Sequence, residues 1–330
     1  MGKRALLVIL LLGPIVWSAG ALWYDGPTSR ALAGGLAFVF AVGSLALVAL
    51  ARSAWHGAAG VVVACGFVLA WWLGIEPRND RPWQPDVAEL PTAEINGDLV
   101  TIRNVRNFEY RAETDLTPRW ESRTYDLTKI QGLDLFLSYW GPRAIAHTVL
   151  SWQFDGAAPL AISIETRKEK GEEYSAVKGF FRQFELYYVL ADERDLIRLR
   201  TNVRGEDVHL YRLAAPPARA RALLLNYLAK VNRLANEPEW YNAFTRNCTT
   251  TIFLHIRDLG IPFQWSWKMF LNGYLDEVLY NVGSINHSLP FEEARVRSGI
   301  SSKAKAVQNE ADFSAAIRAG LPDRPPLPPR

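Results

Sequence analysis

The 330 residues carry 37 Lys and Arg against 34 Asp and Glu, and this formal charge of +3, with no basic stripe interleaved with aromatics, excludes a nucleic-acid binder held by phosphate contacts. The hydrophobic residues, 49% of the chain, are concentrated in its first quarter, and the remainder has the composition of an ordinary water-soluble domain. There are two cysteines, Cys65 and Cys248, in different surroundings, which excludes a disulfide framework and leaves Cys248 a free thiol in any compartment.

In chain order, Ala5–Tyr24, Ala31–Ala51 and Gly57–Ile75 are three apolar stretches of about 20 residues, each long enough to cross a hydrocarbon core of about 30 Å as a helix. Lys3, Arg4 and Arg52 flank them on one side, with Arg30 as a contrary charge on the other. The positive-inside rule therefore puts the N-terminus in the cytoplasm and, after three spans, everything beyond residue 75 on the outer face. Trp23, Tyr24, Trp71 and Trp72 fall near span ends, where interfacial aromatics are expected. A cleaved signal peptide is disfavoured by the length of the first apolar run and the two spans behind it.

Residues 76–92, rich in Pro and charge, read as an extended linker. From residue 93 to 322 the pattern is that of an α+β domain. Asp98–Val105, Arg143–Phe154, Leu160–Thr166, Leu196–Val203 and Val208–Leu213 alternate as strands, the last two joined by Arg204–Asp207. Pro217–Asn236 is an amphipathic helix with Leu223, Leu224, Tyr227, Leu228 and Val231 on one face, and Ser266–Tyr280 reads as another. The tail 323–330 is proline-rich and expected to be disordered.

The chemistry centres on Tyr241–Gly260, YNAFTRNCTTTIFLHIRDLG. Asn247 is a good helix N-cap, Ile252, Ile256 and Leu259 give the helix a buried stripe, and Gly260 and Pro262 end it. Cys248 then lies in the first turn, where unpaired N–H groups and the helix dipole favour a thiolate. Two readings stand for it: a nucleophile with Asn247 and Thr249 as supporting polar neighbours, or a small buried core residue.

A nucleophilic thiol needs a base and a group to orient that base. Of the five histidines, His56 falls on the other side of the membrane, His255 lies about 10.5 Å further along the same helix at 1.5 Å per residue, and His287 sits in a polar loop. His209 remains eligible on its strand. His147 is the strongest candidate, since it shares a strand face with Ile145, Val149 and Ser151. A turn at Asp155–Gly156 returns the next strand so that Glu165 or Thr166 lies opposite His147, giving Glu165 the position and charge to orient the imidazole. A hydrogen-bonded core histidine and a carboxylate in a charged turn are the competing readings. Histidines and cysteines do not cluster at zinc-like spacing, EKGEE at 169–173 lacks the pattern of a calcium loop, and no glycine-rich phosphate cradle occurs, so neither metal nor cofactor is expected.

The segments PRWESRTYDL (118–127), DLFLSYWGPRAIAHTVLSW (134–152), ISIETRKEKGEEYSAVKGFFRQFEL (162–186) and NCTT (247–250) resemble the Lnb N-terminal periplasmic domain family, across about Trp83–Arg318. The resemblance implies a papain-like or NlpC/P60-like thiol fold in permuted order, with His147 as base and Cys248 as nucleophile. For the family's better-known members it implies N-acylation of lipoproteins. The partners that follow are the bacterial inner membrane, a phospholipid acyl donor and a lipoprotein N-terminus as acceptor, with the domain in the periplasm. The three preceding spans and the short tail depart from those members and bear on substrate identity. Arg167, Lys168 and Arg246 are candidate headgroup contacts, and Trp265, Trp267 and Phe270 a candidate acyl-chain surface. A cysteine hydrolase acting on envelope peptides or peptidoglycan and a non-catalytic scaffold are the alternative functions.

Overall fold

The computed structural model describes residues 2–261, 268, 271–307 and 313–326, and the chain divides into two compact units. One comprises residues 1–80, 173–185 and 239–243; the other comprises 81–172, 186–238 and 244–330. Two later segments, 173–185 and 239–243, thus group with the N-terminal helices.

In the first unit, α1 (Lys3–Tyr24), α2 (Arg30–Leu50) and α3 (Ala54–Leu73) are each long and apolar enough to cross a membrane. They meet through Leu7, Ile15, Val48, Ala58 and Val61, and Cys65 packs against this cluster, while Leu10, Phe38 and Phe67 face outward as a lipid-facing surface requires. Arg4 donates to the Val48 carbonyl at 3.1 Å and to that of Ala51 at 2.8 Å, closing one end of the bundle. At the other end, Asp25 accepts from Trp72 Nε1 and Gln183 Nε2, both at 2.7 Å, the Arg182 guanidinium stacks 4.4 Å over Trp72, and Phe181 stacks on Tyr24. The segment 173–185 is thus tied to the ends of α1 and α3 by paired polar groups and by interfacial aromatics.

The second unit is built on an eight-stranded sheet. Its strands are β1 (Thr92–Asn96), β2 (Leu99–Arg106), β5 (Trp120–Asp126), β6 (Ile130–Tyr139), β7 (His147–Phe154), β8 (Ala157–Arg167), β9 (Glu185–Asp192) and β10 (Asp207–Arg212). Strands β3 (Glu109–Tyr110) and β4 (Leu116–Thr117) form a small separate hairpin. The sheet order is β1-β2-β9-β8-β7-β6-β10, with β5 also on β2. Hairpins dominate, and Gly156, at φ +73°, makes the tight β7–β8 turn that only a residue free of Cβ enters readily. Helices α5 (Pro217–Asn236) and α6 (Cys248–Asp258) pack against each other and onto β6, β7 and β8. Residues Leu223, Leu224, Tyr227, Leu228 and Val231 are buried, as the amphipathic pattern predicts. A second core joins Phe136, Val149, Tyr187, Leu196 and Ile197 to Ile300 and Ala304 of the short helix α9 (Ser301–Ala306) and to Phe313 and Ile317. The architecture is α+β, with helices on a largely antiparallel sheet.

Three local expectations are corrected. Leu196–Val203 is helical, comprising α4 (Glu193–Arg198) and a π-turn (Leu199–Val203); Asp192 caps it by accepting from Arg194 N–H at 2.8 Å, and β10 pairs with β6 instead. The linker 76–92 is partly folded: Trp83 and Val87 are buried, and Pro85–Val87 is a 3₁₀ turn. The tail begins ordered, because Arg324 donates to the Leu133 and Leu213 carbonyls at 2.6 and 2.7 Å and to Asp134. Of the stretch 266–280, the described part is a 3₁₀ turn at Asn272–Tyr274 and α7 (Leu275–Asn281).

Candidate functional site

Asn247 caps α6 as its sequence predicts. Its side-chain oxygen accepts from the N–H groups of Thr249 and Thr250, both at 2.9 Å, and the Thr250 hydroxyl accepts from Asn247 N–H at 2.9 Å, completing a capping box. This fixes Cys248 as the first helical residue, buried, with its sulfur at the positive end of the helix. That carbonyl oxygen of Asn247 is consumed by the cap.

His147 is the first residue of β7 and is buried, opposite Ser138 of β6. The β7–β8 register pairs Val149 with Ser163, and its continuation sets Glu165 level with His147. His147 Nε2 lies 2.6 Å from Ser163 Oγ and 3.1 Å from Glu165 Oε1, and Ser163 Oγ donates to the same carboxylate oxygen at 2.7 Å. With Nε2 engaged by this pair, Nδ1 is the nitrogen left to serve the Cys248 thiol, with which the ring is hydrogen-bonded. The structure therefore brings Cys248, His147 and Glu165 into one chain of contacts.

The charges follow from that geometry. Burial pushes the Cys248 thiol up, but the His147 charge and hydrogen bond, the Thr148 N–H and the Thr249 hydroxyl bring it down to about 7 from an ordinary 9.0. Burial and the Arg200 guanidinium push His147 down, yet Glu165 and the Cys248 sulfur outweigh them and raise it to about 9. Burial would raise the Glu165 carboxyl; His147, Arg200 and the Ser163 hydroxyl hold it well below the usual carboxylate range instead. Between about pH 7 and about pH 9 the favoured state is a thiolate–imidazolium pair backed by a carboxylate.

Four contributors escaped the sequence reading. Ser163 shares the β8 face with Glu165, a parity visible in the strand itself. Arg200 Nη2 donates to Glu165 Oε1 at 2.8 Å, and its Nη1 to Glu206 Oε2 at 3.2 Å; reading its segment as a strand concealed this. Glu206 also takes the Ser138 hydroxyl. The fourth is Asn272, on the turn before α7. Its Oδ1 accepts from Ala146 N–H at 2.9 Å, and since a backbone N–H only donates, Nδ2 is fixed as the group facing Thr249 Oγ1 at 3.1 Å and Cys248 Sγ at 3.8 Å. Thr249 is buried, and its hydroxyl is also 3.0 Å from that of Thr148. Nothing in the sequence around Asn272 signals this placement.

Other residues singled out from sequence lie elsewhere. Arg167 is 2% exposed, donates to the Val87 and Ala88 carbonyls at 3.0 and 2.7 Å, and stacks 4.3 Å from the Trp83 ring. As a headgroup contact it is corrected: its guanidinium holds the chain entering the domain. Lys168 is half-buried behind it, while Arg246 is exposed one residue before the helix cap. His209 is buried between the Arg295 carbonyl and Asp207, at 3.0 and 3.1 Å. His255 stacks on Tyr227 and bonds Tyr188 at 2.7 Å; burial pushes it down to about 4, so it is a neutral core histidine. Trp265, Trp267 and Phe270 lie outside the described residues.

Three helices long and apolar enough to cross a membrane precede an α+β domain in which a buried cysteine and histidine are backed by a partly buried glutamate that contacts the histidine. Residues 116–268 match the model of the Lnb N-terminal periplasmic domain family, a stretch that contains Cys248, His147 and Glu165; with those three helices, this similarity supports a membrane-associated envelope protein. No curated protein and no solved structure matches the chain.

Proposed function

We propose that this protein is a cysteine-dependent acyltransferase of the envelope, its domain a permuted papain-like thiol fold held on the periplasmic face of the inner membrane with the N-terminus in the cytoplasm. The observation that carries this reading is the pairing of a thiol lowered to about 7 with an imidazole raised to about 9 whose Nε2 is held by Ser163 and Glu165. His147 takes the thiol proton, and the thiolate attacks an ester carbonyl of a phospholipid. The tetrahedral oxyanion forms beside Asn272 Nδ2 and the first turn of α6, the donor groups available there. As it collapses, the C–O bond breaks and the departing lysophospholipid alkoxide receives the proton from His147, leaving a Cys248 thioester. The amine of a diacylated lipoprotein N-terminus then attacks the thioester, the C–S bond breaks, and His147 accepts the proton from the amine.

An acyl substrate is favoured by the side chains leading into the site. Ile145, Phe244 and Leu271, just ahead of His147, Cys248 and Asn272, are each exposed, and large exposed apolar groups around a buried polar cluster suit a lipid chain. The three spans hold the domain near both lipid substrates. Radiolabelled phospholipid given to the purified protein should form a hydroxylamine-sensitive adduct that is absent in Cys248→Ala. An undiminished adduct in that variant overturns the assignment, and release of free fatty acid or cleaved peptide with no transfer to amine would favour the hydrolase.

A further inference from the structure

We propose that the cleft beside the β6–β7 connection seats the phosphodiester of a glycerophospholipid, a role that rests on the acyl-transfer reading for the identity of the lipid. The cleft has a volume of about 390 Å³, and its lining includes Tyr139, Trp140, Arg143, Arg204, Glu206 and Arg295. Three guanidinium groups surround this space, and the two carboxylates that line it are already occupied: Glu206 by Arg200 and the Ser138 hydroxyl, Asp207 by His209. The cleft therefore offers more donors than acceptors. Among the described residues Arg143 pairs with the exposed Glu292 at 3.6 Å and lies over the Tyr274 and Phe291 rings, and its Nε and Nη2 have no hydrogen-bond partner; Arg295 Nε lies 3.4 Å from Asp276 Oδ2, an ion pair longer than a normal hydrogen bond. Arg204 pairs with the exposed Glu113 at 2.9 Å, a contact that solvent weakens and an incoming anion can replace, and more loosely with Glu206 at 3.8 Å. Buried N–H groups without acceptors are costly, and arginine matches the paired oxygens of a phosphate better than any other cation.

Its position links the cleft to the thiol. The connection that contributes Trp140 and Arg143 runs directly into Ala146 and His147, Ser138 stands opposite His147 in the register, and Glu206 joins the cleft wall to Glu165 through Arg200. The Tyr139 hydroxyl donates to the Gly273 carbonyl at 2.9 Å, next to Asn272. In a glycerophospholipid the phosphate and the acyl ester are a few bonds apart on one glycerol, so a phosphate held here delivers an ester toward Cys248. Trp140, 56% exposed at the rim, suits the boundary between headgroup and acyl chain.

The test uses the full chain in a neutral detergent with Cys248→Ala to prevent turnover, and calorimetric titration with dihexanoyl phosphatidylglycerol, dihexanoylglycerol or inorganic phosphate. The phospholipid should bind, Arg204→Gln and Arg143→Gln should each weaken it by roughly tenfold, the size of one charge-assisted hydrogen bond, and Arg204→Lys should restore part of the loss. Dihexanoylglycerol should not bind measurably, and inorganic phosphate should compete only at far higher concentration. Undiminished affinity in the Arg204→Gln/Arg143→Gln double variant, or equal binding of dihexanoylglycerol, overturns the proposal; inorganic phosphate binding as tightly as the lipid overturns the lipid source. Because the readout needs no acyl transfer, failure of thioester formation with binding intact would count against the nucleophile and not against the phosphate seat.

Discussion

Arg200 Nη2 donates to Glu165 Oε1 at 2.8 Å, the same oxygen that receives Ser163 Oγ and faces His147 Nε2. After His147 itself, the guanidinium is the next group that keeps the carboxylate ionised. Arg200 is nearly buried and holds Glu206 as well, so Arg200→Met removes a buried cation that two carboxylates share, leaving Glu165 paired with His147 and Glu206 with Arg204 at 3.8 Å. A destabilisation of about 3–5 kcal/mol is expected in denaturant unfolding, the range for removing one partner of a buried pair, and a change below 1 kcal/mol would show the network to be dispensable.

The pH dependence of thiol alkylation reads the ion pair directly. Wild-type Cys248 should react with iodoacetamide along a curve with its midpoint at about 7, below the ordinary thiol. In His147→Ala the chief lowering partner is gone and burial is opposed only by the Thr148 N–H and the Thr249 hydroxyl, so the midpoint should rise toward the ordinary 9.0. A curve unchanged by that substitution would separate the two residues.

Acyl transfer should follow a bell, with an acid limb near 7 from the thiol and an alkaline limb near 9 from the imidazolium. Glu165→Gln removes the carboxylate that raises His147, so the alkaline limb should shift toward acid, and turnover should fall by roughly 10²–10⁴, the range for acid–base assistance. A lower rate with the alkaline limb still near 9 would assign Glu165 a purely structural role.

Asn272→Ala removes the donor beside the sulfur and should cut kcat by roughly 10²–10³ with little change in KM, because an oxyanion donor acts on the transition state. The alkylation midpoint should stay near 7, since the groups that lower the thiol are His147, Thr148 and Thr249. A rise in KM at constant kcat would make Asn272 a substrate contact.

Asn247→Ala should cost about 1 kcal/mol through loss of the α6 cap, while Asn247→Asp, which keeps the accepting oxygen at the positive helix end, should retain most of it. Melting temperatures of the two variants compare the cap with any contribution of the side-chain amide.

Local pattern was enough to mark three spans, the amphipathic face of α5, the capped start of α6 and the turn that lays Glu165 near His147. Each is written within a few neighbouring residues, as a run of apolar side chains, a 3.6-residue period, an N-cap or a two-strand return. What lay beyond that reach was decided by packing. Leu196–Val203 alternates like a strand, but Asp192 caps it and Leu196 and Ile197 enter a core shared with Ile300 and Phe313, so it folds as helix and delivers Arg200 to Glu165. Arg167 reads as a candidate headgroup contact until Trp83 and Tyr187 close over it. Asn272 reaches Cys248, and Arg143 and Arg295 reach one cleft, through contacts between segments far apart in the chain, where no local period or spacing records which side chains will meet.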